Sequence, residues 1–175
     1  MYEVTPIKRY SRTLKFIKES MLPDAKILDL GVDNPFSEIM RKESWKVDNT
    51  GGEDLDFDQS AVTDESYDCV TAFEILEHTL NPFEILKAVG AKKMYISIPM
   101  KYWFKSAYRS DSDKWDRHYH EFEDWQFEWL LEKTGWKIVR SEKWKSADSW
   151  IGFRPFLRHF YDRYYIVEVV RSTVE

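Results

Sequence analysis

The sequence predicts an α/β protein built on one doubly wound sheet of about seven strands, mostly parallel, with an antiparallel hairpin at one edge. Three observations carry that expectation. Short apolar runs alternate with amphipathic segments through residue 100, the pattern of parallel strands joined by crossover helices. The first run, Ile27-Leu28-Asp29-Leu30, passes straight into Gly31 and then into a helix start. After residue 135 two strand-like runs follow each other with no helix between them, so they should pair antiparallel.

Thr5 to Met21 carries Ile7, Tyr10, Leu14, Phe16, Ile17 and Met21 near helical spacing, with Pro6 suited to a first turn. Pro23-Asp24 stops this helix, and the first strand spans Lys26 to Leu30. A helix is expected from about Pro35 to Lys42, where Pro35 presets a helical φ. Trp45 to Asp48 is a second short strand, ended by NTGGED, and Leu55-Asp56-Phe57 a brief third. Tyr67 to Phe73 (YDCVTAF) is a fourth strand free of Pro and Gly. Asn81 caps a helix to Val89, with Pro82 at its first position. Met94 to Ile98 is a fifth strand, halted by Pro99. Lys101 to His120 has no sustained period and reads as a long, ordered aromatic loop. Glu123 to Thr134 is a helix with Trp125, Phe127, Leu130 and Leu131 mostly inward and Gly135 at its end. Trp136 to Trp144 and Tyr161 to Val170 form the hairpin, joined by a segment containing FRPFLRHF.

The bulk composition suits one folded domain over 1–175. The 175 residues are 43% hydrophobic and 33% charged, and a chain this long buries roughly 70% of its unfolded surface. Cys69 is the sole cysteine, which excludes an internal disulfide and fits a reducing compartment. No apolar run approaches the ~20 residues of a membrane span. MYEVTPIKRYSR lacks the apolar core of a signal peptide, so a cytoplasmic protein is expected. A net charge of -5 argues against a nucleic-acid partner, because phosphate binding wants clustered Lys and Arg.

Several stretches together resemble class I S-adenosylmethionine-dependent methyltransferases, a Rossmann-like family. ILDLG is similar to that family's first motif and VDNTGGEDLDFD to its second and third strands. ESYDCVTAFEILEHTLNPFEIL resembles the fourth-strand motif of the branch that includes quinone-biosynthesis methyltransferases, and HEFEDWQFEWLLEKTGWKIV that branch's later segment. The resemblance implies an N-terminal helix over 1–24, a cofactor-binding half over 25–100 and an acceptor-side half over 101–175. It implies S-adenosyl-L-methionine as cofactor, S-adenosyl-L-homocysteine as product, and a small-molecule or lipid-like acceptor. A catalytically degenerate relative, serving as a ligand-binding or partner subunit, is the alternative, so a protein partner stays open.

The same resemblance distributes roles among residues that have physical reasons of their own. Gly31 can adopt positive φ and lets backbone approach a ligand; its turn, with Asp29 and the Val32 to Asn34 backbone, would meet the methionine portion. Asp29 suits an ammonium or is simply a strand-end turn former. Asp48, with Asn49 beside it, ends the second strand, where a carboxylate accepts ribose hydroxyls. Asp58 would accept the adenine amino group and Gln59 offer its backbone N–H, with Asp56 a rival alignment. Phe73 and Glu74 end the fourth strand at the crevice mouth, as cofactor contacts or as core. His78 either takes a proton from a hydroxyl nucleophile or organises its loop. His118 or Tyr119 lines the acceptor pocket. His118 and His120 make half a metal site but lack a further partner, so no metal is expected. Tyr102, Trp103, Phe104, Tyr108 and Trp115 are a lid or core.

One residue raises a problem. Asp33 stands where such loops usually place a second glycine. Facing the cofactor's carboxylate at ~5 Å with an effective dielectric near 20, it would cost roughly 3 kcal/mol, about two orders of magnitude in affinity. Binding survives only if that carboxylate points elsewhere: to solvent, to the cofactor's ammonium, or to the N–H groups that open the next helix.

Overall fold

The structure is a computed structural model that describes residues 4–146 and 156–172. Its sheet comprises β1 (Lys26–Asp29), β2 (Lys46–Asn49), β3 (Cys69–Phe73), β4 (Lys93–Pro99), β5 (Trp136–Trp144) and β6 (Tyr164–Arg171). The six strands lie in the order β2-β1-β3-β4-β6-β5. The first four are parallel; β6 pairs antiparallel with both β4 and β5. The edge hairpin is therefore present, although part of its connection, including Phe153 to Pro155, lies outside the described residues.

Among the described residues four helices cover the sheet: α1 (Val4–Lys18), α2 (Pro35–Arg41), α3 (Pro82–Ala88) and α4 (Asp124–Lys133). Asn34 caps α2 by accepting from Phe36 and Ser37 N–H, Asn81 caps α3, and Glu123 with Gln126 forms a capping box on α4. Gly135, at φ 80°, ends α4 in the left-handed conformation.

Strand alternation splits the core. Ile27, Cys69, Tyr95 and Ile166 pack against Phe16, Ile17, Phe36 and Met40 of α1 and α2. Leu28, Val70, Ile96 and Val167 pack against Ile85 and Leu86 of α3 and Phe127 and Leu131 of α4. The central parallel strands are covered on both faces, which is why their sequences read as nearly unbroken apolar runs.

Two expectations fail. Leu55-Asp56-Phe57 is a turn, so the sheet has six strands. The Asp54 carbonyl accepts from Phe57 and Asp58 N–H, both at 2.9 Å, while its carboxylate accepts from Asp56 N–H. Such aspartate turns compete with strand pairing, and Phe57 is left 84% exposed. On α4, Phe127 and Leu131 are buried, but Trp125 is 44% exposed. It stacks edge-on against Trp129 and donates its indole N–H to Glu123.

β2 and β3 lie on opposite sides of β1. This reversal opens a crevice beyond the carboxyl ends of β1 and β3, where ligands of doubly wound sheets bind.

Candidate functional site

A cavity of about 700 Å³ fills that crevice, within the range of ~300–1,000 Å³ usual for small-molecule sites. Its floor is the turn after β1. Gly31 sits there at φ 102°, and a Cβ would lie 3.3 Å from the Ile75 side chain. Beneath the turn Asp29 is 3% exposed. It accepts from Thr71 Oγ1 (2.6 Å), Ser37 Oγ (2.8 Å), Asn49 Nδ2 (3.2 Å) and Asn34 Nδ2 (3.4 Å). Burial pushes its carboxyl above the ordinary range against the pull of these four donors. Asp29 therefore lashes the turn to β2, β3 and α2.

Asp33 does not face the cavity. Its carboxylate accepts from Arg41 Nη1 at 2.8 Å, and Arg41 also holds Glu38, Asn49 and the Val47 carbonyl. Nor does Asp33 need left-handed backbone, since the described non-glycine residues at positive φ are Asp24, Ser44 and Glu74. The repulsion feared from the sequence is removed by a cation eight residues further on.

Among the other expected cofactor residues, Val32, Phe73 and Glu74 line the cavity. Glu74 holds φ 56°, a strained conformation of the kind that clusters at working sites. Its carboxylate accepts from Ser97 Oγ at 2.9 Å and pairs with Arg9 at 3.3 Å. Arg9 reaches the cavity from α1, and the sequence reading missed it; only its place on an amphipathic helix hinted at a role.

The rest of the expected set lies outside the cavity lining. Asn49 supports the turn from below, also donating to Ser37 Oγ and the Gly31 carbonyl. Asp48 accepts from the Tyr67 hydroxyl at 3.1 Å. Asp58 turns to Ser60, whose backbone N–H and side chain hold its carboxyl below the usual range. The Gln59 side chain donates to the Leu55 carbonyl at 2.6 Å. Asp56 accepts from Leu80 and Asn81 N–H, both at 2.8 Å, tying the acidic turn to the start of α3.

The far wall of the cavity gathers residues from two distant segments, Glu77 and His78 of the 3₁₀ turn Leu76–His78 and Tyr108, Asp116 and His118 of the aromatic loop. The Glu77 carbonyl accepts from Tyr119 N–H (2.8 Å) and His120 N–H (3.2 Å), so the aromatic loop is tied to the strand end. The rings of His78 and His118 meet edge-on at 4.7 Å, and Tyr108 lies 4.6 Å from His118. Tyr108 donates its hydroxyl hydrogen to Asp116. Burial, reinforced by His118, pushes the His78 pKa down, so its imidazole is neutral near neutral pH. Burial, then the neighbouring Glu74, pushes the Glu77 carboxyl well above the ordinary range.

Of the lid candidates, Tyr108 lines the cavity, Tyr102 is buried and bonded to Ser146, and Trp103 and Trp115 are exposed. Phe104 stacks on Tyr102. His120 points instead at the Leu80 carbonyl and stacks on Phe122, and Tyr119 is exposed. Glu77, Asp116 and Arg163 were missed in the sequence because only the fold brings them here. The H-x-H spacing drew attention to His118 and His120, but the residue opposite His118 is His78.

The family described as methyltransferase domain matches residues 5–141. No protein of curated function matches the sequence. Among solved structures, a methyltransferase from Archaeoglobus fulgidus described as SAM dependent superposes with a TM-score of 0.63 at 16% identity, covering 93% of each chain. The methyltransferase in a complex with the Haloferax volcanii Trm112 methyltransferase activator gives 0.61 at 12% identity, over 96% of this chain and 92% of that one. Burkholderia thailandensis 1,6-didemethyltoxoflavin-N1-methyltransferase, solved with 1,6-didemethyltoxoflavin and S-adenosylhomocysteine, gives 0.60 at 13%, over 98% and 80%. These likenesses establish a common fold.

Proposed function

This chain belongs to the methyltransferase-domain family, and from that premise we propose that it binds S-adenosylmethionine in the crevice and transfers its methyl group to a small-molecule or lipid-like acceptor. The observation that carries the reading is the open cavity over Gly31, with Asp33 drawn away by Arg41. The methionine portion lies over the Gly31 turn. Arg9 faces its carboxylate, and Glu74 favours its ammonium and sulfonium.

The nucleoside extends past Val32 toward residues 51–59, whose Asp58 and Gln59 would close over it, with Asp48 and Asn49 at the ribose. The acceptor enters from the side of His78, His118 and Tyr108. Its nucleophilic atom forms a bond to the methyl carbon as the methyl–sulfur bond breaks, and the electron pair stays on sulfur as S-adenosylhomocysteine. Alignment of nucleophile, methyl and sulfur is the protein's main contribution, and such positioning can supply up to ~7–11 kcal/mol.

A second reading, a ligand-binding or partner subunit without turnover, is favoured by the position of Asp48, Asp58 and Gln59 outside the cavity. Isothermal titration with S-adenosylmethionine and S-adenosylhomocysteine tests the first step. Binding at micromolar to low millimolar concentration is expected, weakened at least tenfold in Gly31→Val. Absence of heat at millimolar ligand would overturn the proposal, and binding with no methylated product from any acceptor in an extract would favour the second reading.

A further inference from the structure

Glu77, His78 and His118 each place a potential ligand atom within 4.8 Å of the other two. His78 and His118 come from different segments, yet both are buttressed. His78 Nδ1 lies 3.1 Å from the Arg117 carbonyl. With Nδ1–H donating there, the Nε2 lone pair is turned toward Glu77 Oε1, 3.8 Å away. A ring nitrogen bonded to a backbone carbonyl is the usual way an imidazole is oriented toward a metal. The Glu77 main chain is fixed by the Tyr119 and His120 N–H groups, so the loop bearing His118 cannot drift from it freely.

The second observation is a deficit. Glu77 is 1% exposed, and neither its Oε2 nor His118 Nδ1 has a hydrogen-bond partner among the described residues. Glu121 approaches His118 Nδ1 at 3.4 Å without hydrogen-bond geometry. Buried carboxyl oxygens are rarely left bare, because desolvation without a donor is costly. A cation between the three groups would satisfy the orphaned oxygen. All three residues line the cavity, so the site has an open side.

We infer that Glu77, His78 and His118 form a binding site for a divalent transition-metal ion such as Zn²⁺, with an open coordination position facing the cavity. Two imidazoles and one carboxylate suit Zn²⁺, Fe²⁺ or Co²⁺ better than Mg²⁺ or Ca²⁺, which prefer oxygen throughout. Three protein ligands with one position free is the pattern of working rather than structural zinc sites. Bonds of about 2.0–2.2 Å require the donors to draw in by roughly an ångström, a matter of side-chain rotation.

The ion's role, unlike the site, rests on the methyl-transfer reading. An acceptor hydroxyl in the open position loses its proton to solvent water more readily when its oxygen is metal-bound. That oxygen then bonds the methyl carbon while the carbon–sulfur electron pair leaves with sulfur.

The test is calorimetric titration of chelator-treated protein with Zn²⁺, with Mg²⁺ as a control, followed by visible spectra of the Co²⁺-loaded protein. One equivalent of Zn²⁺ bound at micromolar concentration or tighter is expected, with Mg²⁺ much weaker and Co²⁺ giving ligand-field bands. Glu77→Gln and His118→Asn should each weaken Zn²⁺ binding at least tenfold and alter the bands, whereas His120→Ala should not. If His118→Asn fails to fold, Glu77→Gln and His78→Gln carry the comparison. Binding well below one equivalent, or binding unchanged in all the folded ligand variants, would overturn the site. Zinc binding without S-adenosylmethionine binding would support the site and sink the methyl-transfer reading.

Discussion

Asp29 and Glu77 are both buried acids on the wall of one cavity, and they are treated in opposite ways. Asp29, at the end of β1, is surrounded by four side-chain donors from β2, β3, α2 and the turn before it. Glu77, in the turn after β3, has an oxygen with no donor among the described residues. A carboxylate already saturated by the protein works as a strut, because little of its bonding capacity is left for a ligand. One left bare at similar burial marks a place that the chain alone does not complete. The Gly31 side of the crevice is thus a finished scaffold, whereas the Glu77 side is left incomplete.

Removing each acid would break or sharpen that contrast. Asp29→Ala orphans the Thr71 and Ser37 hydroxyls, while Asn49 and Asn34 keep other acceptors, and should cost about 3–5 kcal/mol in chemical denaturation, at ~1–3 kcal/mol for each abandoned buried donor. Glu77→Gln abandons no donor and should stay within ~1 kcal/mol of the parent. Equal losses at the two sites would erase the distinction.

Glu168 provides a third case at the other end of the sheet, a buried acid satisfied by charge. It pairs with Lys93 at 2.6 Å and Arg140 at 3.0 Å and accepts from Ser20 at 2.6 Å. Burial raises its carboxyl, but Lys93, Ser20 and Arg140 outweigh burial and hold it below the ordinary value. A depressed carboxyl stabilises the fold above the unfolded-state pKa, ~4.3, and that contribution disappears as pH falls through the folded value. Glu168→Gln should therefore cost about 2 kcal/mol at pH 7, with the gap to the parent closing as pH drops below ~4. A gap independent of pH would mean that packing, not charge, is what Glu168 supplies.

Asp33→Gly is the smallest of the series. It removes a surface pair whose carboxylate side chain is 60% exposed, so stability should change by less than about 1 kcal/mol. Affinity for S-adenosylmethionine should stay within about twofold. A gain of tenfold or more would show that the acid does oppose the ligand after all.

What the sequence revealed was mostly local. ILDLG announced the strand and its turn, Pro35 and Asn81-Pro82 announced helix starts, and the missing crossover announced the edge hairpin. Each is a signal contained within a few residues of backbone preference. Leu55-Asp56-Phe57 misled because its alternation mimicked a strand while the aspartates favoured a turn. Arg41 as the partner of Asp33 was invisible until α2 folded back along its own loop. Arg9 is 65 residues from Glu74, and His78 about 40 from His118. No periodicity encodes such meetings, which only the strand order and the tethered loop create.

The direct trial of the cofactor reading is a crystal of this chain grown with S-adenosylhomocysteine. The expected result is the ligand over the Gly31 turn, its carboxylate toward Arg9, with Asp33 still paired to Arg41. An empty crevice closed by Phe73, Glu74 and Arg9, in crystals saturated with ligand, would contradict it.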